Sequence, residues 1–151
     1  MMRITRTMQE TDLSLVIGIE SRAFSHPWPP KAFEDVLSMR PWVLVVDGIL
    51  CGYIFYHTVL DEAVILNFAI DPDLQGKGHG EHLLSSTLEL LQKEGFTNFY
   101  LDVRQSNASA IALYVKYGFL ALGIRKSYYS DPVEDAIVMG KKLPLPERET
   151  L

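Results

Sequence analysis

The sequence predicts an α+β protein, a three-layer α/β arrangement in which a mixed, mostly antiparallel sheet of about seven strands has helices on both faces. Strand-like apolar runs follow one another without an intervening helix from residue 42 to residue 70, which is typical of an antiparallel meander. Beyond residue 70 helical and strand patterns alternate. A strand–helix–strand order favours a parallel, right-handed crossover, here from Ile70 to Leu101.

The N-terminal part predicts one strand and two helices. Residues 3–7 have a strand pattern, and residues 10–24 carry apolar side chains near helical spacing, with Thr11 as the predicted N-cap. A proline-stiffened loop follows, and Pro30 suits the first turn of a second helix that runs through Met39.

The meander comes next. Strands 42–46 and 51–59 flank the turn Asp47-Gly48, a dipeptide that two-residue hairpin loops favour. The third strand, 63–70, is almost continuously apolar, so we expect it to be buried on both faces.

The remaining elements alternate between helices and strands, and no linker interrupts them, so residues 1–151 are predicted to form a single domain. Glycines are expected to end both helices. The predicted elements are helix 81–94 ended by Gly95, strand 100–103, helix 108–116 capped by Asn107 and ended by Gly118, strands 119–125 and 136–142, and a mobile tail over 143–151.

Composition excludes several classes of function. The net charge of −5 argues against a nucleic-acid binder, which must neutralise phosphates. No apolar run approaches the length of a membrane span, and the first residues lack the hydrophobic segment of a secretory signal. The single cysteine, Cys51, cannot form an internal disulfide and is expected in the core, which fits a cytoplasmic protein. The histidines have no metal-site spacing.

A glycine-rich segment between the strand ending at Ile70 and the next helix predicts an anion site. Glycines let a backbone approach a ligand closely, and free amides at a helix N-terminus point toward negative charge. The spacing differs from the GxxxxGK[ST] and GxGxxG phosphate motifs. The alternative is a plain turn and helix cap. The segment reads Gln75-Gly76-Lys77-Gly78-His79-Gly80-Glu81.

Several segments together resemble the GNAT superfamily of acetyltransferases, in which Q-x-x-G-x-G marks the acetyl-CoA loop. Within it the chain is similar to the RimI-type ribosomal-protein-alanine N-acetyltransferases over residues 4–143. The segments that carry the resemblance are Ile19 to Phe24, Pro27-Trp28, Val59 to Ala63, Ile70 to Asp73, Leu101 to Asn107, Ala112 to Tyr114, Tyr117 to Phe119, Tyr128-Tyr129 and Glu134 to Met139.

The resemblance implies where acetyl-CoA binds. The sheet would splay between the strand ending at Ile70 and the strand around Leu101, and the pantetheine arm would insert there. Asn107 would contact the cofactor, although a helix N-cap explains this residue equally well. The implied cofactor-binding residues are the backbone of Phe68, Ala69 and Ile70, the loop residues Gln75, Gly76, Lys77, Gly78, His79, Gly80 and Glu81, and Asn107.

The resemblance also implies a carboxylate base and a tyrosine acid. Tyr114 occupies the acid position, the alternative being a ring that packs on the sheet with its hydroxyl at the surface. The base position holds Asp102 where the family pattern has glutamate. Asp102 would act through a water molecule, bind only the substrate ammonium, or leave the role to another carboxylate. Tyr128 and Tyr129 would line the acceptor side, or simply close a loop.

The activity implied is acetyl transfer from acetyl-CoA to a protein N-terminal α-amine, with the N-terminal alanine of a small-subunit ribosomal protein as acceptor. A GNAT enzyme for another amine, such as a lysine side chain or small metabolite, and a non-catalytic acetyl-CoA-binding module are the alternatives. No metal, nucleic acid or membrane is expected to take part, and the sequence leaves the oligomeric state open.

Overall fold

A computed structural model describes residues 1–144 of the chain. Within this part, strands form one open seven-stranded sheet in the order β1-β2-β3-β4-β5-β7-β6. The tail predicted from residue 143 falls mainly on residues outside the described part. The elements are β1 (Arg3–Thr7), α1 (Leu13–Ala23), β2 (Trp42–Val46), β3 (Ile49–Val59), β4 (Glu62–Ile70), α2 (His79–Lys93), β5 (Asn98–Arg104), α3 (Ala108–Lys116), β6 (Leu120–Tyr129) and β7 (Glu134–Lys142).

The strand pairings confirm the predicted mixed sheet. Antiparallel pairs join β1 to β2, β2 to β3, β5 to β7 and β6 to β7. β4 and β5 are parallel, paired from Glu62–Asn98 to Ile65–Leu101, while β4 itself continues to Ile70. Parallel neighbours need a crossover, and α2 supplies it.

The chain divides into two compact units, each with its own buried side chains. The first comprises Met1–Tyr56 with Leu66–Thr87, and the second His57–Ile65 with the chain from Leu88 onward. In the first, α1 packs on β2, β3 and β4 through a core of Met8, Val16, Ile19, Phe33, Val36, Val43, Tyr53, Phe55 and Ala69. The second buries Leu91, Phe99, Leu101, Val103, Phe119, Ala136 and Met139.

Of the two predicted N-terminal helices, the first is shorter than expected and the second is not an α-helix. A 3-10 turn, Glu10–Asp12, precedes α1, so Thr11 is not the N-cap; the carboxylate of Asp12 instead accepts from the Gln9 amide at 2.8 Å. The segment 30–39 forms two 3-10 turns rather than an α-helix. Its buried side chains, Phe33 and Val36, are three residues apart, a spacing that a 3-10 turn brings to one side.

The expectation that β4 is buried on both faces is wrong for its middle. Ala63 and Ile65 are buried, whereas Leu66 is 42% exposed and Phe68 is half-buried. A continuous apolar run cannot by itself distinguish a strand covered on both faces from one that leaves a face open. Among residues 1–144, no helix combines the length and apolarity needed to cross a membrane.

Candidate active site

The glycine-rich segment connects β4 to α2 in the first unit. After β4, a 3-10 turn at Pro72–Leu74 is closed by the Asp71 carboxylate, which accepts from the Asp73 amide at 3.0 Å. Gly76 and Gly78 have φ of 81° and 82°, in the left-handed region that favours glycine. A Cβ at Gly76 would meet nothing within 4 Å. The glycine is therefore required by the backbone conformation, and the space beside it is open to a ligand.

Two polar side chains of this segment, those of Gln75 and His79, bind the protein itself. The Gln75 amide donates to the Ile70 carbonyl at 3.1 Å, which ties the loop to the end of β4. His79 is the first residue of α2 and is 3% exposed, and its Nδ1 accepts from Arg3 Nε at 3.2 Å. Burial, followed by the charge of Arg3, lowers the pKa of His79. A ligand bond from this position would therefore come from the backbone amide.

The end of β4 lies against β3 at unusually close range. Ala69 and Ile70 are buried, and the Asp71 amide donates to the carbonyl of Cys51 at 2.7 Å. A Cβ at Gly52 would lie 2.8 Å from the Ala69 oxygen and 2.5 Å from Ile70 Cδ1. Only glycine at position 52 lets β4 take this position. Cys51 is fully buried as predicted, and burial raises the pKa of its thiol to about 11.

A buried carboxylate, which the sequence analysis did not single out, joins α1 to β3 and β4. Glu20 is 1% exposed and accepts from the Tyr53 hydroxyl, the Asn67 side-chain amide and, at 2.9 Å, the Trp28 amide. Burial and the hydrogen bond to Glu20 raise the pKa of Tyr53, so its hydroxyl stays a donor. All three partners are donors, and a carboxylate is the side chain that only accepts.

Asn67 links the Glu20 carboxylate to the backbone of Phe68. While its amide nitrogen donates to Glu20, its Oδ1 accepts from the Phe68 backbone amide at 3.0 Å. A ligand that took its hydrogen bond from the Phe68 N–H would have to displace Asn67. The ring of Trp28 packs against Phe33 and Phe55, with both pairs of ring centroids 5.8 Å apart, so the 25–30 loop is held by its backbone and by its ring.

Asp102, the predicted base, lies on β5 in the second unit, opposite Val138 of β7. Its Oδ1 accepts from Arg125 Nε at 3.2 Å, and its side chain is 28% exposed. The guanidinium carbon of Arg125 lies 5.8 Å from the ring centroid of Tyr128. Asp102 is thus an accessible carboxylate held in place by a cation, which the sequence pattern did not indicate.

Tyr114, the predicted acid, lies on α3 and is 7% exposed, with its ring edge-on to Phe119 at 5.6 Å. Burial and then the neighbouring Tyr129 raise the pKa of its hydroxyl. The pKa of Tyr129 rises to about 12, through burial and then the negative charge of Asp102. Tyr129 thus affects the pKa of Tyr114, and Asp102 affects the pKa of Tyr129, while the role of Tyr114 as an acid stays a prediction.

The segment between β6 and β7 is held by charged side chains. Arg104 donates to the carbonyls of Ser130 and Pro132 and to Glu134 at 3.2–3.3 Å, and lies 4.3 Å over the Tyr129 ring. Glu134 also accepts from the Ser106 amide at 2.6 Å, and hydrogen bonding to Ser106 leads the causes that lower the pKa of Glu134. This network fixes the tyrosine pair.

Asn107 is the predicted N-cap of α3. Its Oδ1 accepts from the Ala110 amide at 3.2 Å and from the Ser109 hydroxyl at 3.3 Å. The cap prediction is confirmed; a cofactor contact from the same side chain stays a prediction.

The sequence indicated the site residues that belong to a recognisable motif or to the end of a strand. It did not indicate the residues that hold those site residues in place. Glu20 is four residues from the fully buried Val16 on α1, so helical spacing places it on the buried face. That spacing was the available signal for Glu20. Arg3, Gly52, Asn67 and Arg125 act through contacts between elements that are distant in sequence, for which the sequence shows no signal.

Comparison with known proteins places these features in a family. The Acetyltransferase (GNAT) family profile matches residues 13–119. The [ribosomal protein bS18]-alanine N-acetyltransferase of Escherichia coli (strain K12) is 39% identical over 142 residues, which cover 91% of this chain and 96% of that protein. The Salmonella typhimurium (strain LT2) protein of the same name is 39% identical over 139 residues, covering 87% and 92%.

A solved structure agrees with the sequence matches. The crystal structure of the ribosomal-protein-S18-alanine N-acetyltransferase from Escherichia coli superposes with a TM-score of 0.90 at 36% identity, and the alignment covers 99% of each chain. The chain therefore belongs to the GNAT acetyltransferase family and, within it, is similar to the ribosomal-protein-alanine N-acetyltransferases, as its sequence predicted.

Proposed function

We propose that this protein transfers the acetyl group of acetyl-CoA, in the cytoplasm, to the N-terminal α-amine of a protein, with the N-terminal alanine of a small-subunit ribosomal protein as acceptor. The observation that carries the proposal is the near full-length similarity to relatives named for acetylation of alanine in ribosomal protein bS18. The fold and the glycine-rich loop support the same activity, independently of those names.

The loop residues fit the diphosphate of the cofactor. Open space beside Gly76, left-handed glycines and the start of α2 leave backbone donors for an anion. The proposed cofactor residues are those of the sequence analysis. For the backbone N–H of Phe68 to bind the cofactor, its hydrogen bond to Asn67 Oδ1 must break. When bound, acetyl-CoA supplies a thioester whose acyl carbon a neutral amine attacks.

Proton movement is assigned to two residues of the second unit. A protein α-amine has a pKa of about 7.7–8.0, so a modest base suffices near neutral pH. Asp102 is the proposed base, acting through a water molecule because aspartate is shorter than glutamate by one bond of about 1.5 Å. Arg125 orients that carboxylate. The Tyr114 hydroxyl is the proposed proton donor to the departing sulfur. Burial raises its pKa, so it is protonated near neutral pH but is a weaker acid than a free tyrosine.

The acceptor peptide is assigned to the surface around Tyr128 and Tyr129. Their rings are perpendicular at 5.1 Å, and Arg104 and Glu134 fix the segment that carries them. Aromatic rings held rigidly give contact area at little entropic cost, which suits recognition of a short N-terminal sequence.

To test this proposal, the protein is incubated with acetyl-CoA and a peptide that has the N-terminal sequence of ribosomal protein bS18. We expect release of free coenzyme A and a peptide heavier by one acetyl group at the α-amine. The same peptide with a blocked N-terminus but an intact lysine is the control. Acetylation of the lysine peptide or a small amine alone would contradict the proposed acceptor, and cofactor binding without transfer to any amine would contradict catalysis.

A further inference from the structure

The first strand contributes a side chain to the glycine-rich loop. Arg3 on β1 donates from Nη2 to the carbonyl oxygen of Lys77 at 2.9 Å and from Nε to Nδ1 of His79 at 3.2 Å. One guanidinium therefore holds both the middle of the loop and the first residue of α2. The planar fork of arginine allows this, because its nitrogens diverge in fixed directions.

The bond to Lys77 determines which way a peptide group points. Lys77 lies between Gly76 and Gly78, both with positive φ, and glycine neighbours make rotation of the peptide plane easy. In a planar trans peptide the carbonyl oxygen and the next N–H point in opposite directions. Holding the Lys77 oxygen toward Arg3 therefore turns the Gly78 N–H away from Arg3. If the plane rotated, a carbonyl oxygen would replace a donor at the anion site.

The bond to His79 fixes the start of α2. Its Nδ1 can accept from Arg3 only when that nitrogen carries no proton, and burial favours the neutral ring. The charges of Arg3, Lys77 and His82 act in the same direction, and Asp47 opposes them. The His82 amide donates to the Gly78 carbonyl at 3.1 Å, so the first turn of the helix bonds to the residue that lies between the two residues held by Arg3.

We propose that Arg3 is a positioning residue for the diphosphate of coenzyme A. It fixes the Lys77–Gly78 peptide and the first turn of α2 so that the backbone amides face the ligand. The inference rests on the proposed role of the loop in acetyl-CoA binding. It assigns a cofactor-related role to the N-terminal strand, which the glycine motif does not include.

The test compares Arg3→Lys with the wild-type protein by calorimetry with acetyl-CoA and by steady-state kinetics. Lysine keeps the charge but its single nitrogen cannot hold both acceptors, so we expect Kd and KM for acetyl-CoA to rise about tenfold, the effect of losing one charged hydrogen bond. We expect kcat and KM for the peptide to stay within about twofold. Wild-type affinity in Arg3→Lys would overturn the proposal, since charge alone would then account for Arg3.

Amide exchange in the ligand-free protein separates this proposal from the proposed function. The His82 amide should exchange about tenfold faster in Arg3→Lys, because Lys77 and His79, on either side of its acceptor Gly78, are no longer both anchored. Arg40→Lys, at an exposed position before β2, is the control and should exchange like wild type. If the wild-type protein has no affinity for acetyl-CoA, the proposed function fails, and the exchange still tests the anchor. Unchanged His82 exchange in Arg3→Lys would overturn the positioning role.

Discussion

The two regions proposed to carry the reaction differ in the groups they offer to a ligand. In the first unit, residues 68–81 offer backbone groups, because the polar side chains of Gln75 and His79 bind the protein itself. In the second unit, the region around Asp102 and Tyr114 offers side chains held by arginines. The first region can therefore be predicted from glycines and strand ends in the sequence. The second depends on contacts between side chains that are far apart in the sequence.

Substitutions in these two regions should change different kinetic constants. Substitutions that disturb the backbone of residues 68–81 should change the affinity for acetyl-CoA, whereas substitutions around Asp102 should change kcat with little effect on that affinity. Substitutions in the two regions therefore test the assignment separately.

Tyr114→Phe should have the largest effect. Without the hydroxyl we expect kcat to fall by about 10²-fold or more, the usual loss for a general acid, while Kd for acetyl-CoA stays near wild type. Tyr100→Phe, which removes a hydroxyl from β5 in the same unit, is the control. Wild-type turnover in Tyr114→Phe would make the tyrosine a packing residue only.

Asp102→Asn should lower kcat/KM by about 10²-fold, because the amide cannot accept the amine proton. Asp102→Glu should equal or exceed the wild-type rate, because the longer side chain needs no bridging water. The lost ion pair with Arg125 is partly exposed, so the free energy of unfolding should change by less than about 1 kcal/mol. Glu89→Gln, an exposed acid on α2, controls for the charge. An active Asp102→Asn enzyme would assign the base elsewhere.

Gly52→Ala tests the backbone region. The added methyl group would lie 2.8 Å from the Ala69 oxygen, so β4 must shift, and overpacking of this kind costs about 1–3 kcal/mol. We expect a lower free energy of unfolding together with weaker acetyl-CoA binding. Gly18→Ala is the matched control, since a Cβ there meets nothing within 4 Å and alanine favours the helix by about 0.5–1 kcal/mol. Equal behaviour of the two variants would refute the close approach of β3 and β4.

Glu20→Gln should have the smallest effect on chemistry. In glutamine one of the two carboxylate oxygens is replaced by an NH₂ group, which would face the donors that bind Glu20. We expect a loss of about 1–3 kcal/mol in the free energy of unfolding. Because Asn67 and the Trp28 loop lose their anchor, KM should rise more than kcat falls. Chemical denaturation and steady-state kinetics measure both. A stability equal to wild type would mean that the three donors find other partners.

Much of the fold follows from local patterns. The turn at Asp47-Gly48 and the cap at Asn107 are set by residues close in sequence, and the parallel pairing of β4 with β5 follows from the strand–helix–strand order. The α-helix predicted over 30–39 failed because two successive 3-10 turns bury Phe33 and Val36 equally well. The supporting contacts of Arg3, Glu20 and Arg125 were not predictable, because each joins elements whose pairing is decided by the tertiary structure.

The most direct test of the account is an NMR titration of the wild-type protein with acetyl-CoA, following the backbone amides. We expect the largest shifts on residues 76–81 and on Phe68 to Ile70. Saturable binding with its largest shifts elsewhere, or no binding at millimolar acetyl-CoA, would contradict the claim that this backbone holds the cofactor.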